Sequence, residues 1–229
     1  MSGILIFGAH PDDVEFGMGA SVLKFVDQGE TVSICVLTRG EAGTYGSPQD
    51  REREMRRAAQ MAGASIDVLD FEDCRVFDGF ESRLALARVI RARRPAVIFA
   101  PYHTNVHGHR DGAAHPDHLA TGAIARAAAR YARFRGMRHL EGEAWSARAL
   151  LYYIVPRTMN PNLVVDVSAY MDRWEELARC HASQLELREG KVLEHLRDLR
   201  RAWGGLAGVE YAEAFHSDDP IPLDLRSFI

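Results

Sequence analysis

In Gly8-Ala9-His10-Pro11-Asp12-Asp13-Val14-Glu15, a histidine and two adjacent carboxylates follow directly on the apolar run Ile4-Leu5-Ile6-Phe7. Charged groups at the end of a buried strand are costly unless they are paired, hydrogen-bonded or bound to metal. A second polar segment, residues 102–118, holds five of the ten histidines, at 103, 107, 109, 115 and 118, and closes on His115-Pro116-Asp117-His118. Two histidines and one carboxylate, with positions left open for water, are a usual ligand set for catalytic zinc. His10 and Asp13 are three residues apart at a strand-to-helix turn and can converge on one ion, with His118 or His115 as the third ligand. Such an ion lowers the pKa of bound water toward about 7 and polarises a carbonyl. Asp12, adjacent and unligated, suits a general base. The second imidazole, oriented by Asp117, suits stabilisation of an oxyanion or protonation of a leaving amine. The same ligands accept Fe(II), Mn(II) or Co(II). The bland alternative makes Asp12 and Asp13 the N-cap and first-turn acids of the next helix.

The elements that position these residues follow from periodicity. After the acidic motif, a helical pattern runs from Gly17-Met18-Gly19 to Gly29, and Val32-Ser33-Ile34-Cys35-Val36-Leu37 reads as a second strand. Strand, helix and strand in this order make a βαβ unit with a right-handed crossover. Ligands of such sheets bind beyond the carboxyl ends of the strands, where His10 to Asp13 fall. A glycine-rich loop spans 38–48. A helix over 50–62, a strand over 66–71, a helix over 82–94 and a buried strand over 96–100 come next. A helix over 119–134 places His115 to His118 at its start. Strands over 150–155 and 163–167 and helices over 169–187 and 189–203 complete the pattern. The expected architecture is an α/β, Rossmann-like three-layer sandwich with a mostly parallel central sheet, as one domain over 1–229.

Composition narrows the function classes. With 28 basic and 32 acidic residues the formal charge is −4, which offers no field for nucleic acid or an anionic membrane. The arginine-rich stretches at 51–57 and 197–201 are interleaved with Glu and Asp, as solvated helix faces are. Three scattered cysteines argue against a disulfide framework or thiolate zinc site and for a reducing compartment. No stretch is long and apolar enough to span a bilayer and no secretory signal is recognisable, so a cytoplasmic location is expected. The glycine spacing around Gly8, Gly17 and Gly19 does not fit a dinucleotide fingerprint, and no Gly-x-Ser-x-Gly is present.

Ala9-His10-Pro11-Asp12-Asp13 together with His115-Pro116-Asp117-His118 resembles the PIG-L/LmbE-like zinc deacetylase family. The loop Thr38-Arg39-Gly40-Glu41-Ala42-Gly43-Thr44 and the helix beginning Arg51-Glu52-Arg53-Glu54 are similar to that family's. The ending Gly208-Val209-Glu210-Tyr211-Ala212-Glu213-Ala214-Phe215 resembles the bacillithiol-pathway branch, the N-acetylglucosaminyl-malate deacetylases. The resemblance implies zinc-dependent hydrolysis of an N-acetyl group on a glucosamine-type conjugate, releasing acetate and a free amino sugar. It assigns His10, Asp13 and His118 to the metal, Asp12 to the base, and His115, backed by Asp117, to the transition state. It also matches Arg51 to a substrate-side arginine, a residue that otherwise reads as part of a surface helix face, and implies a homo-oligomer, hexamer or trimer. Tyr102 and Glu41 are expected on the substrate side with Arg51. Rival readings are a deacetylase of another amino sugar, such as an antibiotic precursor, a chitin fragment or a mycothiol-type conjugate, and a non-catalytic metal- or sugar-binding module. Between Tyr102 and His115 the chain carries a histidine-rich insert, 103–114, which reads as a lid or specificity loop, a second metal-binding surface, or a plain polar insertion.

Overall fold

The computed structural model describes residues 3–105 and 112–221. Five parallel strands form the central sheet: β1 (Ile4–Gly8), β2 (Val32–Val36), β3 (Ser65–Val68), β4 (Val97–Pro101) and β5 (Ala149–Tyr153), in the order β3-β2-β1-β4-β5. The chain grows outward from β1 in one direction and then from β4 in the other. The crevice between the ends of β1 and β4 is therefore the topological switch point, where ligands of open α/β sheets bind.

Alternation within the strands builds the layers. Ile4 and Ile6 of β1 and Ile34 of β2 face one core with helices α1 (Asp13–Asp27), α2 (Pro48–Ala62) and α5 (Met171–Ala178). Leu5, Phe7 and Cys35 face the other, with α3 (Phe80–Arg93) and α4 (Pro116–Ala132). A strand covered on both faces has no polar side, which is why these runs read as continuously apolar. The expected three-layer α/β architecture is thus present.

A small antiparallel sheet of β6 (Leu163–Asp166) and β7 (Ala212–Phe215) lies beside the main one, joined by paired backbone bonds between Tyr152 and His216. Helix α6 (Val192–Ala207) precedes β7 and ends on the left-handed Gly208. Two expectations of local structure fail here. The helix predicted over 169–187 stops at Ala178, and Ala182–Gly190 is an irregular 3-10 segment in which Arg188 and Glu189 are left-handed. Its course follows tertiary bonds instead of periodicity: Gln184 donates to Tyr45 O at 2.9 Å, and the Ser183 amide to Glu54 at 2.8 Å. Helix α1 starts at Asp13, earlier than its apolar pattern, and breaks at Met18 (φ −150°, ψ 23°). Among the described residues, no helix is long and apolar enough to cross a membrane.

Candidate active site

The turn after β1 is built by Asp13. Its Oδ2 accepts the amides of Ala9 and His10, each at 2.8 Å, so the carboxylate folds back over the strand end it follows. Asp12 pays for this turn with a left-handed backbone, φ 108°, which costs a non-glycine residue of order 1–3 kcal/mol. Arg51 holds it there, donating from Nη2 to Pro11 O and from Nη1 to Gly40 O, both at 2.8 Å. Gly40 is left-handed (φ 66°), and a Cβ on it would lie 1.9 Å from Arg51 Nη1, so glycine is required for the guanidinium to enter.

Helix α4 brings the second motif to the same point. His10 Nδ1 lies 3.2 Å from His118 Nε2 and 3.6 Å from Asp13 Oδ2, and His118 Nε2 lies 2.8 Å from Asp13 Oδ1. Donors of a tetrahedral cation held at 2.0–2.2 Å stand roughly 3.3–3.6 Å apart, so these three need only small adjustments to share one ion. Imidazole and carboxylate suit zinc and its neighbours in the first transition row.

The far nitrogen of His10 is occupied by acids. Nε2 faces Asp73 Oδ1 at 3.0 Å and Asp117 Oδ2 at 3.3 Å, which leaves Nδ1 as the nitrogen that could hold a cation. His10, Asp73 and Asp117 also come close enough to be a cation site themselves, as do His10, His115 and His118. Asp73 and Asp117 already accept backbone amides, from Ala42 at 3.0 Å and from Cys74 at 2.7 Å, so they are better suited to supporting the His10 ring. Burial opposes charge on that ring, yet Asp117, Asp13 and Asp73 together push its pKa up to about 12 in the metal-free protein. Burial and the neighbouring Asp13 push Asp12 up to about 6. Burial acts the same way on Asp13, but His118 and His10 outweigh it and hold that carboxyl well below the usual range.

His115 caps α4. Its Nδ1 accepts the Asp117 amide at 3.2 Å, which places the proton of the neutral ring on Nε2. The ring stands edge-on to His10 at 4.7 Å. A cavity of about 570 Å³ is lined by His10, Asp12, Asp13, Arg51, His115 and His118, and extends to Leu199 and Trp203 of α6.

Six of the nine predicted site residues therefore line one cavity, and three do not. The Asp117 carboxylate sits behind His10, not behind the His115 ring as expected. Glu41 is spent on the amides of Asp73 (2.8 Å) and Arg39 (3.2 Å), tying two loops together. Tyr102 continues the β4–β5 pairing through its amide, and its ring packs on Tyr152 and His216 away from the cavity. Arg51 is on the wall, with Nη1 and Nη2 engaged by backbone and Nε without a hydrogen bond. Of the insert, His103 bonds Asp218 at 2.8 Å, while His107, His109, Arg110 and Asp111 lie outside the described residues.

Two contributors were not among the predicted site residues. Asp73 follows β3 in the acidic run Asp70-Phe71-Glu72-Asp73, so its place at a strand's carboxyl end was the available signal. His181 is fully buried, with Nε2 3.2 Å from Glu15 Oε2 in an ion pair without hydrogen-bond alignment. Its segment, His181-Ala182-Ser183-Gln184, is similar to a late segment of the PIG-L/LmbE-like family, but nothing local to residue 181 assigns it Glu15 as a partner.

Known proteins share this arrangement of elements. The fold is similar to that of the conserved protein TT1542 from Thermus thermophilus, with a TM-score of 0.88 and 36% identity over 98% of each chain. It is also similar to N,N'-diacetylchitobiose deacetylase from Pyrococcus horikoshii, with a TM-score of 0.83 and 26% identity, covering 94% of this chain and 83% of that one. In sequence, diacetylchitobiose deacetylase from Thermococcus kodakarensis is 29% identical over 98% of this chain and 86% of its own. The profile of one family, described as GlcNAc-PI de-N-acetylase, matches residues 5–129, more than half the chain and both polar motifs, and the chain belongs to this PIG-L family.

Proposed function

We propose that this chain is a zinc-dependent hydrolase that removes the acetyl group from an N-acetylglucosaminyl conjugate. The observation that carries the reading is the convergence of His10 Nδ1, Asp13 and His118 Nε2, with Asp12 and His115 on the walls of the same cavity. Family membership and the deacetylases among its relatives support an amide of an amino sugar as the substrate class.

When bound by His10, Asp13 and His118, zinc supplies polarisation of the amide carbonyl and acidification of water. The chain's own groups do the rest. Asp12 makes no cap bond to its helix, so its carboxylate is available to take the proton of the attacking water. His115 presents Nε2–H to the oxygen that gains charge as water adds to the carbonyl carbon. The C–N bond then breaks, the amine nitrogen takes the proton from Asp12, and acetate and the free amino sugar leave. Asp73 and Asp117 hold the His10 ring throughout.

The finer reading of the substrate is the malate conjugate of N-acetylglucosamine, supported by the likeness of residues 208–215 to the bacillithiol branch. A homo-oligomer and a cytoplasmic location belong to the same reading, the latter supported by three unpaired cysteines. The test is an acetate-release screen of zinc-loaded protein over N-acetylglucosaminyl malate, diacetylchitobiose and N-acetylglucosaminyl inositol, read beside metal content. Release from the malate conjugate above the others is expected. Release only from another sugar would replace the substrate, and no release from any would leave a binding module.

A further inference from the structure

The break in α1 frees backbone groups that three distant side chains collect. Where a helix is interrupted, carbonyls before the break and amides after it lose their ladder partners. Here Phe16 O accepts from Arg200 Nη2 at 2.9 Å, and Glu15 O from Trp174 Nε1 at 2.9 Å. On the other side, the amides of Ala20 and Ser21 donate to the Glu213 carboxylate at 3.2 and 2.7 Å. Arg200 and Glu213 bond each other, through Nε at 2.9 Å and Nη2 at 2.5 Å, and the guanidinium lies 3.9 Å from the Trp174 ring centre. Both are almost wholly buried, at 3% and 1% exposure, and Arg200 Nη1 is taken by Leu196 O.

Close packing adjoins the break. A Cβ on Gly17 would lie 2.6 Å from the Tyr153 ring, whose hydroxyl is anchored to Phe7 O. Residues 13–17 are thus a single turn, too short to hold its own direction. That turn carries Asp13 to His118 at one end and Glu15 to His181 in its middle. A buried ion pair gives little net stability over well-packed apolar residues, so stability alone does not account for it.

We propose that Arg200 and Glu213 are positioning residues: the pair clamps both sides of the break in α1 and so sets where the Asp13 carboxylate stands relative to His10 and His118. The inference rests on the reading of that trio as a metal site. Both residues lie on α6 and β7, beyond the region matched to the family.

The test compares zinc affinity, by competition with a chelating dye, and steady-state kinetics in the full-length chain. The paired variant Arg200→Met/Glu213→Leu removes both charges together and leaves no lone buried ion. It is expected to unfold near the parent's midpoint, bind zinc about tenfold or more weakly, and lose kcat with KM near the parent's. A folded paired variant with the parent's zinc affinity and kcat overturns the proposal. Should that variant fail to fold, Glu213→Asp decides: it keeps the charge but withdraws the carboxylate from Ala20 and Ser21. Weakened zinc binding upholds the proposal and unchanged binding overturns it. A parent that binds no zinc would sink the metal reading instead. The pair is then judged in metal-free protein by the ring resonances of His10 and His118, which move in Glu213→Asp if the turn moves and stay fixed if the pair is only structural.

Discussion

Arg51 reaches Asp12 mainly through the backbone. Its Nη2 donates to the carbonyl of Pro11 at 2.8 Å, while the Asp12 carboxylate stands farther off, at 3.5 Å. The guanidinium is buried, and its second arm holds Gly40 O in the adjoining loop. A left-handed aspartate persists only when its surroundings over-determine it, and the Arg51 bond to Pro11 O is one such restraint. We predict that Arg51→Lys, which offers a point charge in place of a fork, lowers kcat at least tenfold with zinc retained. Loss of two buried hydrogen bonds should also cost about 1–3 kcal/mol in denaturant melts. A rise in KM at unchanged kcat would show instead that Arg51 serves the substrate directly.

Asp12 itself gives a second prediction. Asp12→Asn is nearly isosteric, keeps the turn and leaves His10, Asp13 and His118 untouched. Metal content should match the parent, while acetate release falls by about 10²–10⁴-fold, the usual worth of a positioned base. Turnover within a few-fold of the parent would remove Asp12 from that role.

What could be read in the sequence was whatever lies together along the chain. Ile4 to Phe7 and His10 to Asp13 are contiguous, so strand, turn and acids announced a site at the carboxyl edge of a parallel sheet, and His115 to His118 did the same after β4. Local patterns carry no information about partners brought in from afar. His181, Arg200 and Glu213 meet α1 from 160 or more positions later, and although His181 and Glu213 lie in stretches similar to the family's, nothing in their own segments names α1 as the partner. The same limit misjudged Asp117: its place after His115 suggested support for that ring, but the start of α4 turns the carboxylate toward His10. The predicted helix over 169–187 failed because apolar spacing continues past Arg179 while bonds from Ser183 and Gln184 to other loops draw the backbone out of the helix.

Asp73 supports a third prediction. One oxygen faces His10 Nε2 at 3.0 Å and the other accepts the Ala42 amide at 3.0 Å, so the side chain joins the His10 ring to the glycine-rich loop. Asp73→Ala should weaken zinc binding about 10–100-fold, the range for losing a carboxylate behind a ligating histidine. Saturating zinc should then restore part of the turnover. Unaltered affinity in a dye-competition titration would mean that Asp117 alone orients the ring.

The pair of His181 and Glu15 gives a prediction for pH. Burial by itself depresses the charged imidazole, but the Glu15 carboxylate 3.2 Å away outweighs it and holds the pKa above the ordinary 6.5. A folded-state pKa raised above the unfolded one stabilises the fold fully below the unfolded value, and that contribution is lost as pH rises through the folded value. His181→Gln keeps a polar group of similar reach but cannot charge. The stability gap between parent and variant, from urea melts of metal-free protein, should therefore be widest below about pH 6 and narrow steadily above about pH 7. The variant retains the Glu15 carboxylate, so a gap that widens with pH would mean that neutral His181 is the form the core prefers. A gap that does not change with pH would make the contact one of packing alone. Only narrowing on the alkaline side fits a charged imidazole bridging Ala182–Gly190 to the first turn of α1.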